Sequence, residues 1–232
     1  MAWREWVRGP EIQPSIYAAD FVRLGEQLET LLEAGVRVFH YDVGDGHFID
    51  PITTGPIVLE SIAPLVHGRG GILDCHLMVS EPEKHFEQIG AAGGDSVTFH
   101  VEACADVPRA VALARQLGLG VGIAFNPETP VEQAAVASTG ADLALCMSIH
   151  PGRSGQSFMP EACTRIAELR RLLPEVLIQV DGGISAANIR DVHEAGADLL
   201  VAGSSIFWQD DLAEAYHGLT RQLVVAAPRA DD

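Results

Sequence analysis

Val36-Arg37-Val38-Phe39-His40-Tyr41-Asp42-Val43-Gly44-Asp45-Gly46-His47 opens as an apolar strand and closes on charge and glycine. Residues two apart on a strand share a face, so His40 and Asp42 point the same way. The stretch before it is a helix: Asp20 to Ala34 carries Phe21, Leu24, Leu28, Leu31 and Leu32 at helical spacing. Glu33-Ala34-Gly35 is the joint between the two, with glycine supplying the left-handed residue that stops a helix. The joint recurs as Glu194-Ala195-Gly196-Ala197-Asp198, with variants at Gly93-Gly94-Asp95 and Gly140-Ala141-Asp142. Such βα repetition implies a parallel α/β fold.

Working outward, seven further short apolar runs are each set off by a turn: Ile12–Ile16, Ile72–Met78, Ser96–Val101, Gly120–Phe125, Leu143–Ile149, Val176–Asp181 and Leu199–Gly203. Several are too apolar for strands with one wet face, which fits a parallel sheet covered by helices. A second clear helix spans Pro160 to Leu173, with Cys163, Ile166, Leu169, Leu172 and Leu173 as its stripe. Eight strand candidates favour a closed (β/α)8 TIM barrel over an open sheet. The 232 residues suit one such domain, with 1–10 as an N-terminal extension and 226–232 as a frayed tail.

The chain is 47% hydrophobic, with 15 basic and 32 acidic residues and a net charge of −17. That balance argues against nucleic acid or an anionic membrane as partner. Cys75, Cys104, Cys146 and Cys163 form no C-x-x-C pair and read as reduced thiols of a cytoplasmic protein. Met1 to Pro10 holds Trp3 and Trp6 but no apolar core of a signal peptide, and no run reaches membrane-spanning length. The single lysine, Lys84, lies in an expected helical segment after Pro82, away from any strand end where Schiff-base chemistry would need it.

In a barrel of this type the C-terminal strand ends and the loops after them build the active site. His40 and Asp42 end the second strand, His76 the third and Asp181 the seventh. A lone histidine in an apolar strand is usually a packed core residue. Buried carboxylates, however, are costly without a cation or proton to compensate them. Two imidazoles and two carboxylates at strand ends therefore point to a site for Zn²⁺, Fe²⁺ or Mn²⁺. Gly152-Arg153-Ser154-Gly155, Gly182-Gly183 and Gly203-Ser204 follow the last three strands. Glycine turns there bring backbone N–H groups to a phosphate, whereas Gly90-Ala91-Ala92-Gly93-Gly94 follows a helix and reads as a plain turn.

From Ile12 to about Phe207 the sequence resembles the ribulose-phosphate 3-epimerase family. The matching stretches include Pro14-Ser15-Ile16, Asp45-Gly46-His47-Phe48, His76-Leu77-Met78, Asn126-Pro127, Met147-Ser148, Gly155-Gln156-Ser157-Phe158, Val180-Asp181-Gly182-Gly183 and Ala202-Gly203-Ser204. The resemblance implies interconversion of ribulose 5-phosphate and xylulose 5-phosphate in the pentose phosphate pathway. It implies one divalent ion (Co²⁺ joins the candidates) on His40, Asp42, His76 and Asp181, with Asp42 and Asp181 as the two acid/base groups. Ser15, His76, Met78 and Met147 would line the sugar, and Gly152, Arg153, Ser154, Gly155, Gly182, Gly183, Gly203 and Ser204 the phosphate. No organic cofactor is implied, and a homo-oligomer is.

The chain departs from the family beside these positions. Gly44 stands where methionine is usual, which predicts a larger or wetter pocket. Tyr17-Ala18, Ile49-Asp50-Pro51 and Arg153-Ser154 also differ, and His150 replaces a common Asn or Asp as a structural residue. The changes cluster where substrate lies, so 3-epimerisation of another ketose phosphate, such as allulose 6-phosphate, is the alternative. A non-catalytic phosphosugar-binding barrel would not need two opposed bases. Orotidine-phosphate-type decarboxylation would need a lysine beside Asp42 or Asp181, and none is there.

Overall fold

The structure, a computed structural model, describes residues 3–153 and 155–226. Its eight strands are β1 (Glu11–Pro14), β2 (Val38–Gly44), β3 (Ile72–Met78), β4 (Ser96–His100), β5 (Gly120–Phe125), β6 (Leu143–Met147), β7 (Leu177–Asp181) and β8 (Leu199–Ala202). All seven ladders are parallel, in the ring order β1-β8-β7-β6-β5-β4-β3-β2. A bridge from Ser15 to His40 joins β1 to β2 and brings the sheet nearly to closure as a (β/α)8 barrel.

The helices are α1 (Trp3–Trp6), α2 (Leu24–Glu33), α3 (Pro56–Gly68), α4 (Phe86–Ala91), α5 (Val107–Gln116), α6 (Val131–Ala137), α7 (Glu161–Leu172), α8 (Ile189–Glu194), α9 (Ser204–Phe207) and α10 (Leu212–Ala226). Helix α2 buries Leu24, Leu28 and Leu31 against the sheet, but it starts three residues after Phe21, which is 44% exposed rather than part of the stripe. In α7 the buried stripe is Ala162, Ile166 and Leu169, with Cys163 and Leu172 only half-buried. Lys84 sits in a 3-10 turn, Pro82–Lys84, and pairs with Glu81. Among the described residues no helix is long and apolar enough to cross a membrane.

The repeated glycine joints have a common job. Three of the four end in an aspartate that accepts a backbone N–H from the strand before. Leu73 donates to Asp95, Val121 to Asp142 and Ile178 to Asp198, all at 2.8 Å. Each carboxylate also meets a cationic or imidazole side chain: His67, Arg115 and Arg170 respectively. The echo in the sequence is therefore a strand-start clamp used three times.

Two apolar layers result. Outward residues of the strands, among them Phe39, Tyr41, Cys75 and Phe99, pack under the helices. Inside the barrel, Val38, Leu143, Leu145 and Leu199 pack on Trp3 and Trp6. The N-terminal extension is thus part of the core: Trp3 is fully buried and the two indoles meet edge to face at 5.1 Å. Residues of the expected tail beyond Ala226 lie outside the described residues.

Candidate active site

Alternation along β2 turns Phe39, Tyr41 and Val43 toward the helices and leaves His40 and Asp42 inside the barrel. The β2–β3 register then sets Asp42 beside His76 and His40 beside Asp74. Across the barrel mouth, β7 ends on Asp181, in register with Met147 of β6. The four expected ligand residues converge, with one donor atom from each lying within 4.8 Å of all the others. His76 Nδ1 is 3.1 Å from Asp42 Oδ1 and 3.3 Å from His40 Nε2, with Asp181 Oδ2 at 3.8 Å. His40 Nε2 lies 3.4 Å from Asp42 Oδ1.

The electrostatics of this cluster call for positive charge. Burial acts to raise the pKa of Asp42, but the imidazoles of His40 and His76 outweigh it and hold the carboxyl far below its usual range. Asp181, penalised first by burial and then by the Asp42 carboxylate, is pushed up to about 7. His40 is disfavoured as a cation by burial, yet Asp42 and Asp74 lift it well above the ordinary histidine value. Three clustered carboxylates, Asp42, Asp74 and Asp181, therefore stand among two imidazoles. A divalent cation among two nitrogens and two carboxylate oxygens could supply the compensating charge, and this donor set suits borderline transition metals.

Asp74 is a residue that strand-end reasoning passed over. It lies a layer deeper, fully buried, and accepts from His40 Nδ1 at 3.0 Å, Ser96 Oγ at 2.7 Å and Gln179 Nε2 at 2.8 Å. Its bond to Nδ1 leaves His40 Nε2 facing the cluster, the usual way in which a carboxylate orients a ligating imidazole. Its signal was available, since Asp74 and His76 share a face as His40 and Asp42 do. His100 and Glu102, treated below, were also missed.

Above the cluster opens a pocket of about 520 Å³, counted with the open solvent at its mouth. Ser15, Asp42, Met78, Met147, Asp181, Gly152, Arg153, Gly155, Gly182, Gly183, Gly203 and Ser204 all line it. His40 and His76 are fully buried and do not line it, so His76 stands beside Asp42 rather than as a wall against the sugar. Ser154 lies outside the described residues. Ser15 Oγ donates to Asp42 Oδ2 at 2.7 Å, so it holds one of the carboxylates directly. The glycine turns gather at one end of the pocket, and at Gly183 (φ 64°) a side chain would strike the Phe158 backbone. Arg153 is exposed at the rim, and His150 pairs with Glu128 at 3.2 Å away from the cluster.

Gly44 does not open the pocket as its sequence predicts. A Cβ there would overlap Ile49 Cδ1, and Ile49 is itself 5% exposed. The loop after β2 folds back and fills the space with its own side chain.

Comparison with known proteins agrees with this geometry. The model of the "Ribulose-phosphate 3 epimerase family" matches residues 11–207. The chain is 42% identical over 214 residues to the ribulose-phosphate 3-epimerase of Synechocystis sp., covering 90% of this chain and 92% of that one. With the Escherichia coli enzyme of the same name it shares 39% over 216 residues, covering 91% and 95%. Among solved structures, 3-hexulose-6-phosphate synthase from Salmonella typhimurium superposes with a TM-score of 0.72 at 18% identity, over 94% of this chain and 100% of that one, a likeness of fold. Motif order, eight-stranded barrel and extent of identity lead to one conclusion: the chain belongs to the ribulose-phosphate 3-epimerase family.

Proposed function

We propose that this protein is a metal-dependent isomerase that inverts C3 of ribulose 5-phosphate to give xylulose 5-phosphate. One observation carries the reading. Asp42 and Asp181 reach a common point from β2 and β7, strands separated in the ring by β1 and β8, and their acidities are driven in opposite directions. Inversion next to a ketone needs that arrangement, a base on one face of the carbon and an acid on the other. Names of relatives across bacteria and fission yeast point to the same substrate.

His40, Asp42, His76 and Asp181 would hold the divalent ion. Once bound, it would supply Lewis-acid stabilisation of the negative charge that builds as the C3 proton leaves. The remaining chemistry belongs to the chain. Asp42, kept ionised and fixed by Ser15, takes the proton from one face of C3. Asp181 delivers a proton to the other face, and in the reverse direction the roles exchange. General acid–base groups of this kind typically supply about 10²–10⁴-fold each. Met78 and Met147, at 3% and 1% exposure, keep water from the carbanionic centre. The glycine turns at Gly152–Gly155, Gly182-Gly183 and Gly203-Ser204 anchor the phosphate through backbone N–H groups, with Arg153 at the rim.

The test is C3 proton exchange in D₂O, followed by NMR, on Zn²⁺-, Fe²⁺- or Mn²⁺-loaded protein. Deuterium at C3 of ribulose 5-phosphate with xylulose 5-phosphate as product, both lost in Asp42→Asn, is the expected result. Exchange with allulose 6-phosphate alone would move the substrate to a hexulose phosphate. No exchange with either would leave a binding barrel. Sizing chromatography of the same preparation tests the homo-oligomer expected from the resemblance.

A further inference from the structure

His76 spends both ring nitrogens, and only Nδ1 faces Asp42 and Asp181. Nε2 lies 2.9 Å from Nε2 of His100, the last residue of the adjacent strand β4, which is fully buried. The ring centroids are 5.1 Å apart with planes 23° from parallel. Nitrogens that close on rings that far apart mean the imidazoles meet edge to edge, in hydrogen-bonding geometry rather than stacked. His100 Nδ1 is 3.2 Å from Glu102 Oε2. The other Glu102 oxygen accepts from the Asn126 backbone N–H at 2.8 Å and from the Thr129 hydroxyl.

With a divalent ion between His76 Nδ1 and the carboxylates, counting donors and acceptors along this line leaves one arrangement. A carboxylate only accepts, so the His100 proton sits on Nδ1 and its Nε2 is a bare acceptor. His76 then donates from Nε2, which leaves its Nδ1 lone pair for the ion. We infer that His100 and Glu102 are positioning residues: through a one-way hydrogen-bond chain they fix the His76 lone pair toward the Asp42–Asp181 centre and so raise its affinity for a divalent ion. The inference rests on the metal site proposed above. His40 is served by Asp74 directly; His76 reaches its carboxylate through a second imidazole.

Two further observations agree. Burial works against ionisation of Glu102, but the bonds from His100, Thr129 and Asn126 hold it at about 2. Phe48, 4.7 Å from His100 between ring centroids, packs on the ring without offering a competing hydrogen bond.

The experiment titrates metal-free protein with Co²⁺ against a competing chelator, reading the visible spectrum of bound Co²⁺ and, separately, the melting temperature of the metal-free form. His100→Leu should bind Co²⁺ about 10–100-fold more weakly, with shifted absorption bands, while His100→Gln, which can place an amide oxygen near the lost Nε2, should recover most of that loss. Glu102→Gln should weaken binding less than His100→Leu does. A purely packing role predicts the opposite split, a lower melting temperature in the metal-free form with Co²⁺ affinity unchanged, and that result would overturn the inference. So would a Gln variant no better than Leu. If His100→Leu does not fold, His100→Ala takes its place: weaker binding than in His100→Gln supports the chain, and equal affinity in the two overturns it. Native protein that takes up no Co²⁺ would instead remove the metal-site reading itself, and this inference with it.

Discussion

Replacing Gly44 with alanine adds one methyl group at the most crowded point beside the pocket. The new Cβ would overlap Ile49 Cδ1 and lie 3.0 Å from Ile49 Cγ1 and 3.1 Å from the Pro51 carbonyl oxygen. The carbonyl is backbone and cannot rotate away, so the strain is shared by the loop and by β2. Overpacking of this kind costs about 1–3 kcal/mol, and one backbone contact beside two to a buried side chain places Gly44→Ala near 2 kcal/mol. For a chain of this length that is a fall in Tm of about 4–8 °C. Ile49→Val removes Cδ1 and should alone cost about 1 kcal/mol. In the double variant the alanine methyl occupies the space the isoleucine methyl left. Its cost should therefore be about 1 kcal/mol rather than 3, a coupling of about 2 kcal/mol. Urea unfolding of the metal-free protein, completed as a double-mutant cycle, measures this. Costs that add to within about 0.5 kcal/mol would show that Ile49 does not fill the place of a side chain at position 44.

Other expectations follow from single features. Glu11 at the start of β1 is raised to about 7, by burial and against the pull of Arg37, and one of its oxygens is buried without a partner among the described residues. Its folded form holds a proton that the unfolded chain releases near 4.5, so stability should fall as pH rises from about 4.5 to 7 and stay level above that. Discounted for partial solvent exposure, Glu11→Gln should gain about 1 kcal/mol over native protein at pH 8 and nothing at pH 4, read by paired melts. Trp3→Ala should cost about 3–5 kcal/mol, and Trp3→Phe much less because the indole N–H has no partner among the described residues. Equal losses would mean that this nitrogen is bonded in solution. Arg153→Ala should raise KM for the phosphosugar about five- to tenfold with kcat nearly unchanged, as loss of uniform binding does. An unaltered KM would make Arg153 a solvated loop residue. Saturation with a divalent ion at about 100 times its Kd should stabilise the protein by about 2.7 kcal/mol, reversed by chelation.

The parts legible in the sequence were those set by short-range pattern. Alternation along β2 and the glycine-ended helices expose the barrel, and residues at strand ends expose His40, Asp42, His76 and Asp181. The parts that were not legible depend on register or on chain reversal. Spacing puts Asp74 on the same face as His76, but only the pairing of neighbouring strands brings Asp74 and His100 to the far sides of the two imidazoles. Ile49 replaces a missing side chain at Gly44 only because the loop after β2 turns back on itself. Trp3 and Trp6 read only as an N-terminal extension until they are seen packed on Val38, Leu143, Leu145 and Leu199 inside the barrel.

That packing has an electrical consequence. The family match begins at residue 11, so the two indoles come from a stretch outside it. They seal the end of the barrel opposite the pocket, beneath a layer holding Gln13, Asp74 and Gln179, all fully buried. Insulated from below, the carboxylate of Asp74 acts at full strength on His40 rather than being damped by water. The N-terminal tryptophans thus help to tune a reaction centre they never touch.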